Sequence, residues 1–533
     1  MEDPVLVAAT VVVLSFSLLL GARSILQFHK VKETFVQQGV PIGRDGHWLF
    51  GHIFMLLNED FRAIMQWASL AANEYGQILF WAGPRPLLYV FNLQDAKTVL
   101  NKEHERHRPA IVERHVSMMN GKRGLLALNG KDWKLHRAAV TKTFNPNFLS
   151  GARKDMMQVT QTMVKSIQKK IQKTGCGSTL KLDVEPLMKM ITLDIFGKTA
   201  LDVDLKSCSG ELEASPLANA FEFLIGQMMI RLRNPFKPQH FFYWLPTEQN
   251  RRQRRERHLL RSFLADLIAE KRKVQRENPH AAASKDLLSH LLKAHNDVQD
   301  MDIVGARQIT DDNLTDITMS LFVAGFDTTS ITLSCALYLL AQHSQVQENC
   351  AKEILHATKE GAMADPDNFT YCKAVILEAL RMYPPAVITL RTLSKPMTLS
   401  GGLVVPQGTD VTVPIYSIQH DESIFPRHDE FLPDRWVHEK TIDGNNSWVE
   451  RSEEDGEGDV PAGNRHALLA FSAGGRNCVG MKFAMQEAVL ALANLLQGLE
   501  FKQVPGFELK TSTKSLLHKP DNGVHLNVSI RSD

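Results

Sequence analysis

An apolar run without charge, VLVAATVVVLSFSLLLGA from Val5 to Ala22, opens the chain. As a helix it is about long enough to cross a bilayer, which takes roughly 20 residues. Glu2 and Asp3 precede it, where a cleaved signal peptide wants basic residues. Positive charge follows instead, at Arg23, Lys30 and Lys32, which keeps the rest of the chain on the cytosolic side. The expectation is an uncleaved anchor over 1–25, a linker over 26–52 ending in the Gly- and Pro-bearing GVPIGRDGHWLFGH, and one large domain over 53–533.

Beyond the linker the pattern changes period. ILFWAGPRPLLYVF (Ile78 to Phe91) predicts two short strands around a Gly-Pro turn, with a helix from Asn92. From Lys131 to about Cys350 the pattern is mostly helical, including one long run from about Thr310 to Gln342. A further helix ends at Met382, where Tyr383-Pro384-Pro385 stops it. LSGGLVVPQGTDVTVPI (Leu399 to Ile415) reads as short strands, and the acidic, glycine-containing segment Glu439 to Gly463 as a surface insertion. A last helix runs from about Val479 to Gln497 before a strand-like tail. The fold class is mainly α with a small β-rich region.

Composition narrows the function classes. With 533 residues, 44% hydrophobic and 23% charged, the chain is a packed globular protein. A net charge of +2 gives no overall attraction to nucleic acid, and the basic run Arg251 to Arg257 reads as a solvated helix face. Six cysteines, at 176, 208, 335, 350, 372 and 478, include no CxxC pair, so neither a zinc framework nor a disulfide scaffold is expected. The absence of GxGxxG and of a Walker loop removes nicotinamide, flavin and nucleotide fingerprints.

The candidate chemistry is concentrated in FSAGGRNCVG, Phe471 to Gly480. Cys478 precedes a helix whose positive end favours a thiolate. Gly474, Gly475 and Gly480 permit close approach of backbone to a sulfur or a flat ligand. Arg476 supplies a fixed cation for a carboxylate. These features leave three fates open: a buried thiol, a nucleophile with a histidine partner distant in sequence, or the single thiolate ligand of a haem iron.

The loop matches F-x-x-G-x-R-x-C-x-G at every fixed position, and in this it resembles the haem-ligand loop of the cytochrome P-450 monooxygenases. Four further motifs stand in that family's order. Trp133 and Arg137 of WKLHR resemble W-x-x-x-R, LFVAGFDTTS (Leu321 to Ser330) resembles A-G-x-D-T-T, Glu378 and Arg381 resemble E-x-x-R, and FLPDRW supplies Pro433, Arg435 and Trp436. The resemblance implies the cytochrome P-450 fold with one N-terminal transmembrane helix. It also implies haem b (iron protoporphyrin IX) on Cys478, held through its propionates by Arg476, Trp133, Arg137 and Arg391, with Phe471, Gly480 and Gly325 around it. Thr328 would bond the bound oxygen, Asp327 would deliver protons, and Glu378, Arg381 and Arg435 would set the cysteine loop. On the residues alone, Asp327 and Thr328 also read as a locally bonded pair that bends its helix.

By the same resemblance, the enzyme inserts one atom of O2 into a small lipophilic substrate at the endoplasmic reticulum membrane. Electrons would come from NADPH through a reductase-type flavoprotein, which Lys131, Lys134 and Lys482 could meet. Phe322, Phe326, Val387, Ile388 and Leu517 would line the substrate site, and the aromatic stretch Phe236 to Pro246 could dip into membrane lipid. The cysteine loop is most similar to the branch containing fatty-acid hydroxylases, although many of those carry Glu where this chain has Ala324. Sterol, carotenoid and terpenoid substrates stay open. The rival reading is an isomerase or dehydratase of the same fold acting on lipid hydroperoxides without a reductase. A haem-binding scaffold is a third; neither needs Asp327-Thr328.

Overall fold

The computed structural model describes residues 29–47, 50–52, 54–55, 60–82, 85–107, 123–175, 179–209, 245–277, 286–299, 310–361, 363, 365–442, 445–451, 464–513 and 517–531, with scattered positions between 216 and 227. The expected anchor, most of Phe236 to Pro246 and the stretch 452–463 lie outside the described residues.

In chain order the larger elements begin with α1 (Phe61–Ala71), β1 (Gln77–Ala82), β2 (Arg85–Val90) and α2 (Leu93–Lys102). The helical middle comprises α3 (Gly130–Thr143), α4 (Pro146–Thr174), a strand β3 (Leu180–Asp183), α5 (Val184–Phe196), α6 (Glu248–Glu277) and α7 (Leu287–Gln299). Then follow α8 (Asp311–Gln342), α9 (Ser344–Lys359), α10 (Thr370–Met382), β4 (Thr389–Thr392) and β5 (Asp410–Val413). The hairpin β6 (Val437–Ile442) and β7 (Asn445–Glu450) precedes α11 (Met481–Gly498), β8 (Leu499–Gln503) and β9 (His525–Ile530). Sequence boundaries agree closely: α8 starts after its N-cap Thr310, whose side chain accepts from Asn313 N, and α10 ends at Met382.

The chain divides into two compact units. The first holds Met1–His107, Ile388–Ile418 and Ser472–Arg476. Its sheet runs in the order β1-β2-β5-β4, antiparallel except for the β2–β5 pair. The segment expected as a linker belongs to it: Gly43 N bonds Leu79 O at 2.8 Å, and buried His52 bonds both Gly43 O at 2.8 Å and the Trp81 amide at 3.2 Å. Its Gly and Pro residues thus shape an edge segment along β1, because backbone polar groups beside a buried strand need partners. Buried Asp95 ties the unit's far end, accepting from the Ser400 amide and hydroxyl, both at 2.8 Å.

The second unit holds Arg108–Val387, Gln419–Phe471 and Asn477–Asp533. Its core helix α8 is the one described helix long and apolar enough to span a membrane, but 78% of that window is buried in the fold. Between Asn313 and Leu340 every residue is buried except Val323, Ala324, Gly325 and Thr328. A three-stranded sheet, β8-β9-β3, closes this unit. In the basic run on α6, Arg251, Arg252 and Arg255 are exposed, Arg254, Glu256 and Arg257 half-buried and Gln253 buried.

The segment read as a surface insertion behaves differently. Residues 437–442 and 445–450 pair antiparallel, Trp448 packs on Tyr371 of α10 at 4.3 Å between centroids, and Glu450 pairs with Lys373 and Arg465. The Asp443-Gly444 dipeptide between the two strands was the available hairpin signal. Acidic composition masked it.

One buried histidine in the second unit sets a pH dependence. His136 of α3 is 1% exposed, and burial lowers its pKa from 6.5 to about 4, against the opposing charge of Asp132. Above pH 6.5 neither folded nor unfolded chain carries this proton. Below it the unfolded chain takes a proton that the folded state refuses, so stability falls until about pH 4. Between pH 7 and pH 5 this costs about 2 kcal/mol. His136→Gln should flatten the difference in urea midpoint between those pH values by that amount; an unchanged difference contradicts it.

Candidate active site

The cysteine loop begins from Phe471, whose carbonyl accepts the Cys478 amide at 2.8 Å and closes the turn. Cys478 has an exposed side chain, whereas the four other cysteines among the described residues are buried. Burial of its surroundings pushes the thiol up, while the Gly480 amide bonding the sulfur and the charge of Arg137 pull it down. The net direction is upward, so the chain's own groups leave the thiol protonated at neutral pH. Helix α11 starts at Met481 with Gly480 as its N-cap, two residues later than the sequence pattern suggests. Its first turn therefore supplies one amide to the sulfur rather than a full helix terminus. A metal ion that takes the proton's place is the natural complement of such a donor.

Arg137 stands one helical turn after Trp133 on α3. Its Nη1 donates to Asn477 O at 2.7 Å and its Nη2 to Asn477 Oδ1 at 2.6 Å. It thus clamps the residue preceding the cysteine, a contact the sequence did not suggest. Trp133 is buried at 5% exposure. Lys131, Lys134 and Lys482 are all exposed.

Helix α8 presents Asp327 buried and Thr328 on its open facet. The Thr328 hydroxyl donates to Ala324 O at 2.8 Å, the local bonding that serine and threonine favour in helices, and leaves its lone pairs as acceptors. Gly325 has a packing reason: a Cβ there would lie 3.0 Å from the Phe196 ring of α5. Phe322 and Phe326 are 1% and 3% exposed, and Phe322 packs edge-on to Phe196 at 5.0 Å. They occupy the helix face opposite Ala324 and Thr328, because positions two apart on a helix differ by about 200°. The open facet is instead Val323, Ala324 and Thr328, residues too small and unremarkable to be singled out in sequence. Val387 is buried, and Leu517 is brought beside its segment by the His518 amide donating to Pro385 O at 2.8 Å.

Glu378, Arg381 and Arg435 are all 0% exposed. Arg381 grips Glu378 with two bonds of 3.0 and 2.8 Å, and Arg435 reaches Oε1 at 3.3 Å. Trp436 Nε1 adds a bond to Oε2 at 2.9 Å. The remaining arginine donors go to the carbonyls of Gln419, Pro426, Arg427, His428 and Glu430. The cluster therefore fastens the segment 419–436 to α10, with all five Arg381 N–H groups bonded. The sequence motif contained Trp436, but not its bond to Glu378 or these carbonyl acceptors.

In the first unit, Arg391 of β4 is fully buried, and burial lowers its pKa to about 10, with Glu103 opposing, so it stays cationic at neutral pH. It donates to Glu103 O at 3.2 Å, Thr389 Oγ1 and Leu390 O at 3.0 Å, and Ser472 Oγ at 3.4 Å. Arg476 is 9% exposed and donates to His104 O at 2.8 Å. Ile388 is half-buried against the cluster containing Phe80 and Tyr89. Gly474 has φ +69°, and a Cβ there would overlap the carbonyl oxygen of Leu100 on α2. The glycines expected to cradle the sulfur thus serve, at 474, a backbone-to-backbone approach. Gly474→Ala should cost roughly 2–4 kcal/mol, read as a lowered urea midpoint; a midpoint within error of the parent contradicts this contact.

Within the second unit, an exposed cysteine with an amide on its sulfur and an open facet on an otherwise buried helix are groups that suit a metal-bearing cofactor. Comparison with known proteins bears on the same question. The family model described as Cytochrome P450 matches residues 41–527. The Rattus norvegicus protein Cytochrome P450 4A14 is 27% identical over 490 residues, covering 90% of this chain and 88% of its own. Cytochrome P450 4A11 of Homo sapiens is 26% identical over 533 residues, covering 98% and 94%. Cytochrome P450 4c21 of Blattella germanica is 23% identical over 485 residues, covering 88% and 89%.

Proposed function

The chain belongs to the cytochrome P450 family and is a haem monooxygenase, and on that premise we propose that Cys478 is its axial ligand and a fatty-acid-like lipid its substrate. The observation that carries the ligand assignment is the Cys478 side chain, exposed while its amide is fixed on Phe471 O. Haem, when bound, supplies the iron at which two electrons and two protons activate O2.

The chain's own residues divide the remaining work. Cys478 would hold the iron as its thiolate, and the Gly480 N–H bonds that sulfur. Arg391, Arg476, Arg137 and Trp133 are assigned as the propionate partners, and Arg391 stays charged despite burial. Thr328 accepts a hydrogen bond through the lone pairs left after its donation to Ala324, and Asp327 beside it passes the protons. Val323 and Ala324 flank the reacting region with apolar surface. The small Ala324 carries no carboxyl for an ester to the cofactor.

The substrate class rests on the similarity to proteins named Cytochrome P450 4A and on the resemblance of the cysteine loop. The same reading places the enzyme at the endoplasmic reticulum membrane through residues 1–25, with NADPH-derived electrons delivered by a reductase-type flavoprotein. The isomerase alternative has no use for Asp327-Thr328, which favours the monooxygenase.

One experiment tests the whole. The dithionite-reduced protein with carbon monoxide should show the red-shifted Soret band of thiolate ligation, and NADPH with a reductase should consume O2 when a fatty acid is supplied. Absence of the band overturns the ligand; a band with peroxide rearrangement but no reductase-dependent turnover overturns the reaction. Spectral shifts with sterols or carotenoids but not fatty acids overturn the substrate class.

A further inference from the structure

Glu487 of α11 is a buried titratable group that the reaction as described does not use. It is 1% exposed, its Oε1 has no hydrogen-bond partner, and its carboxyl contacts the side chain of Thr329 on α8. Thr329 follows Asp327-Thr328 directly. Its hydroxyl donates to Gly325 O at 3.0 Å.

A threonine hydroxyl has one proton. With that proton on Gly325 O, Thr329 can meet Glu487 only as an acceptor, and only a protonated carboxyl can donate to it. Burial pushes the Glu487 carboxyl well above the usual carboxylate range, against a smaller lowering from its hydrogen bond with Thr329. The bond matters because of where it ends. Three consecutive α8 carbonyls each receive a hydroxyl: Ala324 O from Thr328 at 2.8 Å, Gly325 O from Thr329 at 3.0 Å, and Phe326 O from Thr192 of α5 at 2.9 Å. Such bonds bend a helix and aim its carbonyls. They cover the only segment between Asn313 and Leu340 that is not fully buried.

We propose that Glu487 is a positioning residue: it donates a hydrogen bond to Thr329, which fixes the Gly325 carbonyl and with it the Asp327-Thr328 facet. It is not a proton source. Its second oxygen has no partner among the described residues, and its side chain is 1% exposed. The role rests on the monooxygenase reading; the hydrogen bond itself does not.

Two variants separate positioning from proton supply. In Glu487→Gln the amide N–H donates to Thr329 as the acid does; in Glu487→Leu nothing donates. When proton delivery at the facet is disordered, O2 takes two electrons from NADPH, through the reductase, and two protons, and leaves as H2O2. Expected results are wild-type peroxide per NADPH in Glu487→Gln and a several-fold rise in Glu487→Leu, both retaining the carbon monoxide band. Infrared difference spectra, wild type minus Glu487→Gln, should show the carbonyl band of one protonated carboxylic acid. Equal uncoupling in both variants overturns the proposal in favour of a proton donor, and unchanged coupling in both overturns it outright. If Glu487→Leu does not fold, the Gln variant and the infrared band decide; a missing protonated-acid band overturns the proposal. Loss of the carbon monoxide band in wild type counts against the function and leaves the infrared test standing.

Discussion

Cys478→Ala should fold, and should lose both the thiolate Soret band and all oxygenase turnover. The backbone part of the loop does not need the sulfur: the bond from residue 478 N to Phe471 O survives in alanine. The side chain is exposed, so its removal leaves no cavity and none of the roughly 2–5 kcal/mol that buried truncations cost. What disappears is the one exposed thiol among the described residues. Haem content after purification, circular dichroism and the reduced carbon monoxide spectrum separate the effects. A variant with native thermal stability and no band meets the expectation. A variant that keeps the band shows that another residue ligates, and the assignment fails.

Glu378→Ala should be the most destabilising substitution in the second unit. The carboxylate accepts from Arg381, Arg435 and Trp436, all fully buried. Removing it strands two guanidinium groups that cannot shed their charge, and breaking a buried pair in this way costs about 3–5 kcal/mol. Glu378→Gln keeps the volume but removes the charge, and should fall between parent and alanine. The measurement is the urea midpoint, or soluble yield where the alanine variant does not fold. A midpoint shift worth less than about 1 kcal/mol would show the cluster to be weakly coupled to stability. Because the same donors bind five carbonyls over 419–430, the loss should also loosen that segment, measurable as faster amide exchange there than in α4.

Much of the second unit was legible before any coordinates. The ends of α8 and α10 follow from Thr310 as a cap and from Tyr383-Pro384-Pro385 as a stop, both local signals. Pairing of Glu378 with Arg381 follows from three-residue spacing on one helix. Helical spacing shows that Phe322 and Phe326 share a face without showing which neighbour covers it. Phe196, over a hundred residues earlier, does. Gly474 carried the right residue type and a different reason, since its partner is the Leu100 carbonyl rather than a sulfur. Glu487 offered one faint signal, a lone acid in the apolar run of α11, with no hint of Thr329.

The sequence by itself determined the identity and order of the chemical groups: one cysteine between glycines before a helix, an acid-alcohol pair in a long apolar helix, and an acid three residues before an arginine. Those depend on covalent spacing and helical period, which are local. The tertiary structure alone decided which side of α8 is open, that Arg137 holds Asn477, and that Glu487 lies buried against Thr329. The protonation state of a carboxyl and the exposure of a side chain are set by atoms far away in the chain, through desolvation and packing, and no local pattern encodes them.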